Sequence, residues 1–241
     1  MLSFILLGQS NMAGRGDFGE VPAISHDRIK MLRNGRWHPM SEPICPDRAI
    51  FGQCHSGISL AASFALDYVD DHPQDTIGLV PCADGGTNLH HDWQPGGLLF
   101  DNAVFLTRQA QRTSTVAGIL WHQGESDGDS PEHAASYRQN FDIVFGSFLR
   151  ATGLEGVPVV IGELGHFLAH TRKWGEHLPV LFRRINRDLE QIAHDYPHAA
   201  IARADGLSCK ADEIHFNSKS LRQFGHRYYQ AYKSIVSGMQ G

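Results

Sequence analysis

Three short stretches of this sequence contain the residue types with which a serine can carry out acyl transfer. They are residues 8–12 (GQSNM), 121–127 (WHQGESD) and 212–216 (DEIHF). Acyl transfer by a serine requires a base within hydrogen-bond reach of the hydroxyl, a group that orients the base, and donors for the oxyanion. The three stretches offer a candidate for each of these roles.

The candidate nucleophile is Ser10, and the candidate base is His215. In this scheme His215 takes the proton of Ser10 during attack on a carbonyl carbon and later protonates the leaving alcohol. Asp212 precedes His215 by three residues, so in a turn its carboxylate can hold the second ring nitrogen. Glu213 competes with Asp212 for this role. Taken singly, Ser10 also fits a helix N-cap, His215 a surface histidine and Asp212 a turn residue.

Candidate donors for the oxyanion come from a glycine-rich turn and from an amide side chain. Backbone N–H groups at Gly85 and Gly86 can approach a ligand closely because glycine has no side chain. The amide of Gln123 offers a further donor. Two plainer interpretations stay open: the two glycines form an ordinary tight turn, or Gln123 and Glu125 are a buried polar pair that holds loops together.

The elements that must position these residues alternate between apolar runs and amphipathic stretches. Five runs are nearly apolar throughout, which is typical of strands covered by helices on both faces; they are residues 2–7, 76–82, 116–121, 158–163 and 199–202. Helical periodicity lies between them, at 58–70, at 98–111, from 130 onward, at 178–196 and at 218–236. The pattern predicts an α/β fold: a flavodoxin-like, doubly wound, mostly parallel five-stranded sheet with helices on both faces.

In such a sheet the three polar stretches follow strands and should meet at one edge, where open α/β sheets bind their ligands. We expect a single domain over residues 1–241. The segment 14–53 is interpreted as an irregular decoration near the site, with a small hairpin around Asn34-Gly35. Residues 14–19 (GRGDFG) match the bare dinucleotide pattern, but Pro22 follows and no helix opens there, which argues against a dinucleotide site.

Together the three stretches resemble the carbohydrate-esterase branch of the SGNH hydrolases, which contains acetylxylan esterases and sialic-acid O-acetylesterases. The resemblance extends to residues 57–60 (GISL) and 85–87 (GGT), so it covers almost the whole chain. It implies a flavodoxin-like sheet, an O-acetylated sugar substrate and no metal or other cofactor.

The resemblance also assigns roles to individual residues. It implies Ser10, Asp212 and His215 as the catalytic triad. It implies an oxyanion hole made by the N–H groups of Ser10 and Gly85 and by Gln123, although the wider superfamily often has an asparagine in this block. Glu125 has no assigned role, and we expect it to brace the site by hydrogen bonding.

The charge and composition of the chain limit the classes of partner that it can bind. A net charge of −5 with a pI near 6.3 provides no basic field for nucleic acid or an anionic membrane. No apolar run reaches the length of a membrane span, and residues 2–7 are too short for a secretory leader, which favours the cytoplasm unless a leader has been removed. The oligomeric state is not predicted. The expected partner is a small molecule or oligosaccharide that carries O-acetyl groups.

Other chemistry-bearing residues have plainer interpretations. Residues 90–92 (HHD) form the densest histidine cluster but lack metal-ligand spacing, so no metal site is expected. The four cysteines are expected to be reduced, although a Cys45–Cys54 bridge is an alternative. Trp93 is expected either to form the floor of a sugar-binding site by stacking or to pack in the interior.

The sequence therefore predicts a serine esterase that hydrolyses O-acetyl esters on carbohydrates, of acetylxylan or acetylated sialic acid type, through an acetyl-serine intermediate. One alternative is a non-catalytic carbohydrate-binding protein on the same scaffold. Degeneration of that kind should first remove the serine, the histidine or the acid, and all three are present. The other alternative is a lipase or thioesterase of the same superfamily.

Overall fold

A seven-stranded sheet forms the centre of the molecule. The computed structural model describes residues 1–46 and 56–239. The strands are β1 (Leu2–Gly8), β2 (Ile29–Arg33), β3 (Arg36–Pro39), β4 (Ile77–Pro81), β5 (Thr115–His122), β6 (Val159–Gly162) and β7 (Ala199–Ala202). Their order is β3-β2-β4-β1-β5-β6-β7, and only the β2–β3 pairing is antiparallel. The predicted fold class is confirmed, with two strands more than the five predicted.

The two additional strands, β2 and β3, come from the segment 14–53. They form the predicted hairpin, with φ values of 49° at Asn34 and 72° at Gly35. Two successive positive φ values are typical of the tight turn that suits the twist of a hairpin. The turn residues predicted the hairpin, but the search for apolar runs did not assign its strands to the sheet. Strand β3 is largely exposed and reads RWHP, whereas strands covered on both faces are largely apolar.

Helices cover both faces of the sheet. They are α1 (Ser10–Ala13), α2 (Leu60–Asp71), α3 (Leu98–Gln111), α4 (Pro131–Thr152), α5 (Leu178–Asp195) and α6 (Ser218–Met239), with short 3₁₀ helices at Glu125–Gly128 and His166–His170. The buried side chains of α2 and α6 belong to one core, and those of α3, α4 and α5 belong to the other. Alternate residues of β1 supply both cores: Phe4 and Leu6 face the first, and Ile5 and Leu7 face the second.

The ends of α4 show how the sequence defines a helix. Ser130 is the N-cap, and its hydroxyl accepts a hydrogen bond from the His133 N–H at 3.2 Å. Pro131 stands at the first helical position, where its missing N–H needs no partner. Gly153 ends the helix in the left-handed conformation, with φ of 67°. The start predicted at residue 130 is therefore confirmed.

Two sequence expectations concern features outside the sheet. Cys54 lies outside the described residues, so the Cys45–Cys54 bridge stays an untested alternative. No helix in the described ranges has the length and apolar character needed to cross a bilayer.

Candidate active site

The strand order brings the first two polar stretches and the glycine-rich turn together. Strand β1 lies between β4 and β5, so the residues that follow these three strands are neighbours. The Gln9 N–H donates to the carbonyl of His122 at 2.9 Å, and the Asp84 N–H donates to the carbonyl of Gly8 at 3.1 Å. A side chain at Gly8 would meet the His122 carbonyl oxygen at 1.9 Å, so this close approach requires glycine.

Ser10 is the first residue of α1, directly beyond the end of β1. It is 4 % exposed, and Gln9 rather than Ser10 holds the N-cap position. The N-cap interpretation of Ser10 is therefore wrong, and its hydroxyl has no capping role. Within the described part of the chain, this hydroxyl makes no hydrogen bond to the His215 ring. Such contacts often tighten only when substrate is bound.

Asp212 and His215 form a hydrogen-bonded pair within one tight turn. Oδ2 of Asp212 lies 2.9 Å from Nδ1 of His215, and Oδ1 accepts the N–H groups of Ile214 and His215 at 3.1 and 3.0 Å. Burial raises the pKa of Asp212, but these hydrogen bonds outweigh it and leave the pKa below its ordinary value. Burial lowers the pKa of His215 against the opposing effect of Asp212. The competing carboxylate, Glu213, instead accepts the N–H of Arg172 at 2.7 Å.

Asn11 connects the helix of Ser10 to the loop of His215. Its Oδ1 accepts the N–H of Phe216 at 3.1 Å, and its Nδ2 donates to the carbonyl of Ile214 at 3.2 Å. The backbone on both sides of His215 is therefore held by the residue that follows Ser10. Nδ2 also donates to Oε1 of Glu125 at 2.6 Å. This fully buried clamp was not predicted from the sequence.

Glu125 and His122 form a buried pair beneath the clamp. Oε1 of Glu125 lies 3.1 Å from Nε2 of His122, whose Nδ1 lies 3.2 Å from the Tyr228 hydroxyl. That hydroxyl donates its one hydrogen to the Trp121 carbonyl at 2.8 Å, so Nδ1 of His122 must be a donor. Burial raises the pKa of Glu125, but His122 and Asn11 outweigh it, and the pKa lies below its ordinary value. The geometry fits an ionised Glu125 carboxylate that accepts hydrogen bonds from Asn11 and from the His122 ring.

Gln123 lies in a second buried network. Its Nε2 is 2.5 Å from Oδ2 of Asp127, 3.2 Å from the Thr87 carbonyl and 3.2 Å from Oε1 of Gln9. An amide nitrogen has two hydrogens, so these acceptors already use both. Burial raises the pKa of Asp127, although hydrogen bonds from Gln123 and the Leu89 N–H oppose it. The structure thus places Gln123 as a link between loops, and its oxyanion role stays a prediction.

The glycine-rich turn lies beside the start of α1. Gly85 is buried, Gly86 has φ of 71°, and the Thr87 hydroxyl closes the turn by donating to the Asp84 carbonyl at 2.7 Å. The Thr87 hydroxyl also accepts from Nε1 of Trp93 at 2.9 Å. Trp93 is only 1 % exposed, so its interpretation as the floor of a sugar site is wrong, and it packs in the interior.

Comparison with known proteins identifies the family. Residues 2–234 match the family described as carbohydrate esterase, sialic acid-specific acetylesterase. A probable carbohydrate esterase of Arabidopsis thaliana is 27 % identical over 96 % of this chain and 90 % of its own length. The crystal structure of that plant protein superposes with a TM-score of 0.80, at 26 % identity, over 97 % of this chain and 98 % of the other.

Two further structures share the fold at lower identity. The crystal structure of NanS gives a TM-score of 0.76 at 17 % identity, over 99 % of this chain and 97 % of the other. A carbohydrate acetylesterase from Xanthomonas citri gives 0.66 at 17 % identity, over 98 % of this chain and 56 % of the other. Because the family match spans almost the whole sequence, this chain belongs to the sialic acid-specific acetylesterase family of carbohydrate esterases, and it is a carboxylic ester hydrolase.

Proposed function

We propose that this protein removes O-acetyl groups from carbohydrates through an acetyl-Ser10 intermediate, with His215 as base and Asp212 as its orienting carboxylate. The observation that carries the proposal is the clamp at Asn11, which holds the backbone on both sides of His215 to the helix that begins with Ser10. The Asp212–His215 contact of 2.9 Å supplies the oriented base. Acetylated sialic acid and acetylxylan are the two substrate classes that we propose.

The proposed reaction has two steps. In the first, Oγ of Ser10 attacks the acetyl carbonyl carbon while Nε2 of His215 takes the serine proton. The tetrahedral intermediate collapses when His215 gives that proton to the sugar oxygen, so the C–O bond breaks and the sugar alcohol leaves. In the second step, water attacks acetyl-Ser10 with the same histidine as base, and acetate leaves with Ser10 restored.

Burial and hydrogen bonding support the assigned protonation states. The lowered pKa of His215 keeps the imidazole neutral at pH 7, as a base requires. The lowered pKa of Asp212 keeps its carboxylate ionised, so Nδ1 of His215 is the donor and Nε2 is left as the acceptor. Asp212 is therefore better placed for the orienting role than Glu213, whose carboxylate accepts the Arg172 N–H.

The proposed oxyanion hole consists of the N–H groups of Ser10 and Gly85 and the amide of Gln123. The first two lie at the ends of the neighbouring strands β1 and β4, which supports their convergence on one point. Gln123 would join them by exchanging a bond to Asp127 or Thr87 for one to the oxyanion. Removal of one such donor typically lowers kcat by about 10²–10³.

The test is acetate release by the parent protein and by Ser10→Ala. The panel consists of acetylated xylo-oligosaccharides, O-acetylated sialic acid and ethyl acetate. We expect release from at least one sugar ester, and its loss in Ser10→Ala with an unchanged melting temperature. Ser234→Ala is the matched control, because the hydroxyl of this exposed serine on α6 donates to the Ala231 carbonyl of its own helix, far in the fold from Ser10 in α1.

Each alternative predicts a different result. A carbohydrate-binding protein without catalysis would release no acetate from any ester in the panel. A lipase or thioesterase would hydrolyse a long-chain acyl ester, added to the panel for this purpose, faster than the acetyl sugars. Hydrolysis by Ser10→Ala at the parent rate would overturn the proposal.

A further inference from the structure

Trp174 presents an exposed aromatic surface beside the proposed base. It is 46 % exposed, whereas Trp93 and Trp121 are each 1 % exposed and Trp37 is partly buried. Its ring centroid lies 6.4 Å from that of His215, with the ring planes at 76°. Its place beside the proposed base makes this aromatic side chain available for contact with a bound substrate.

The ring of Trp174 is fixed against the loop of Asp212 and His215. Nε1 of Trp174 donates to the Asp212 carbonyl at 2.8 Å. The two preceding residues bond to the same loop: the Arg172 N–H donates to Glu213, and Nζ of Lys173 donates to the Ala211 carbonyl at 2.5 Å. The indole N–H thus has its hydrogen-bond partner within the protein, so the ring can offer a ligand only its apolar carbon atoms.

The chemistry of the reaction specifies which part of a substrate must lie at this ring. The sugar is the leaving alcohol, and its oxygen receives the proton from Nε2 of His215. The sugar ring that bears this oxygen must therefore lie on the His215 side of the acetyl group, whereas the acetyl methyl points away from it. Trp174 is a direct neighbour of the His215 ring, with 6.4 Å between the two ring centroids.

We propose that Trp174 is the binding platform for the pyranose ring that carries the acetyl ester. This inference rests on the proposed function and names the residue that distinguishes a sugar ester from a simple ester. The C–H groups on one face of a pyranose form an apolar surface that can pack on the indole face, while the sugar hydroxyls remain in water. The platform is held by the same loop as the base, so sugar and base keep a constant relative position.

The first test compares Trp174→Ala with Trp174→Phe, using O-acetylated sialic acid, acetylated xylobiose and ethyl acetate. Ethyl acetate has no ring to stack, so the informative quantity is the ratio of kcat/KM for a sugar ester to that for ethyl acetate. We expect this ratio to fall roughly tenfold in Trp174→Ala, mainly through KM, because roughly half an indole face would no longer be buried by the sugar. Trp174→Phe should retain part of the ratio because it keeps an aromatic face.

The pair of variants separates stacking from a structural role. Both remove the hydrogen bond to the Asp212 carbonyl, so a merely structural residue would give equal losses in both variants and on all three esters. Trp37→Phe is the matched control. The indole N–H of Trp37 also has a hydrogen-bond partner, the Thr113 hydroxyl at 2.9 Å, but Trp37 lies on β3, at the opposite edge of the sheet from β7. That control should leave the ratio unchanged.

A binding measurement tests the platform without turnover. In Ser10→Ala, the sugar esters should protect tryptophan fluorescence from acrylamide, and the protection should be absent when Trp174→Phe is added. Two results would overturn the platform. One is protection that persists in the Ser10→Ala, Trp174→Phe double variant, and the other is that neither sugar ester protects Ser10→Ala. An unchanged ratio together with Ser10-dependent hydrolysis of ethyl acetate would overturn the platform alone, whereas hydrolysis by Ser10→Ala would overturn the proposed function.

Discussion

Replacement of Asn11 by alanine should weaken the fold and the chemistry together, because one buried amide joins the helix of Ser10 to the loop of His215. Asn11→Ala removes the acceptor for the Phe216 N–H and the donor for the Ile214 carbonyl. It also removes the 2.6 Å hydrogen bond to Glu125. Asn11 is 1 % exposed, so solvent has little access to the groups left behind.

The magnitude follows from the groups that lose their partners. Oε1 of Glu125 keeps its contact with His122, so the main loss falls on the two backbone groups at Phe216 and Ile214. A buried polar group left without a partner costs about 1–3 kcal/mol. We therefore expect the free energy of unfolding to fall by about 3 kcal/mol. At about 2–4 °C per kcal/mol for a domain of this size, the melting temperature should fall by about 6–12 °C.

The effect on catalysis should be of similar size to the effect on folding, because a hundredfold change in rate corresponds to about 2.7 kcal/mol. Once the backbone beside His215 is released, the imidazole loses its fixed distance from Ser10, and a displacement of about 1 Å can lower a rate by about 10². Urea unfolding and kcat for ethyl acetate, both measured at 25 °C, test the two effects. Asn140→Ala is the matched control, because this partly exposed asparagine on α4 makes its hydrogen bond to Ser136.

Two results would refute this argument. If Asn11→Ala retained both the unfolding free energy and kcat of the parent, the clamp would contribute nothing. If kcat fell while stability stayed within about 0.5 kcal/mol, as for an ordinary surface substitution, Asn11 would act on the reaction itself and not by holding the loop.

Two further predictions follow from the site. Because burial lowers the pKa of His215 below 6.5 and only the neutral ring acts as base, kcat/KM should be at its plateau at pH 8 and fall with acid with a midpoint below pH 6.5; a midpoint above 6.5 would contradict this. Gly162→Ala should lower the unfolding free energy by about 1–3 kcal/mol in urea, because the new methyl carbon would meet the Tyr228 hydroxyl at 1.8 Å and Nδ1 of His122 at 2.5 Å. Gly146→Ala on α4, where the nearest atom is the end of Arg150 at 3.3 Å, should be neutral or stabilising.

Apolar runs made most of the sheet predictable. Strands β1, β4, β5, β6 and β7 lie in the five predicted runs because each is covered on both faces and has few polar positions. Strands β2 and β3 escaped this criterion. Strand β3 is an edge strand, where polar residues are tolerated, and β2 beside it contains Lys30 and Arg33.

The candidate site could be predicted to the extent that the types of its residues indicate a reaction. Ser10, Asp212 and His215 could be proposed because a nucleophile, an acid and a base are recognisable from sequence order. The hydrogen bonds of Asn11 were not predictable. Its partners lie 114, 203 and 205 residues away in the sequence, and nothing in the sequence around Asn11 indicates them. Trp174 was missed because nothing in its local sequence indicates that its ring is left exposed beside His215.

Strand order explains why this site needs a clamp at all. Strands β4, β1 and β5 are adjacent, so the residues that follow them meet through backbone contacts of the sheet itself. The loop that carries His215 instead follows β7, which is the far edge strand, with β6 between it and β5. That loop must extend back across the strand ends to reach Ser10, and among the described residues no strand pairing links it to the sheet. Asn11 supplies this missing attachment, so the residue most sensitive to substitution outside the proposed triad should be the one beside the nucleophile.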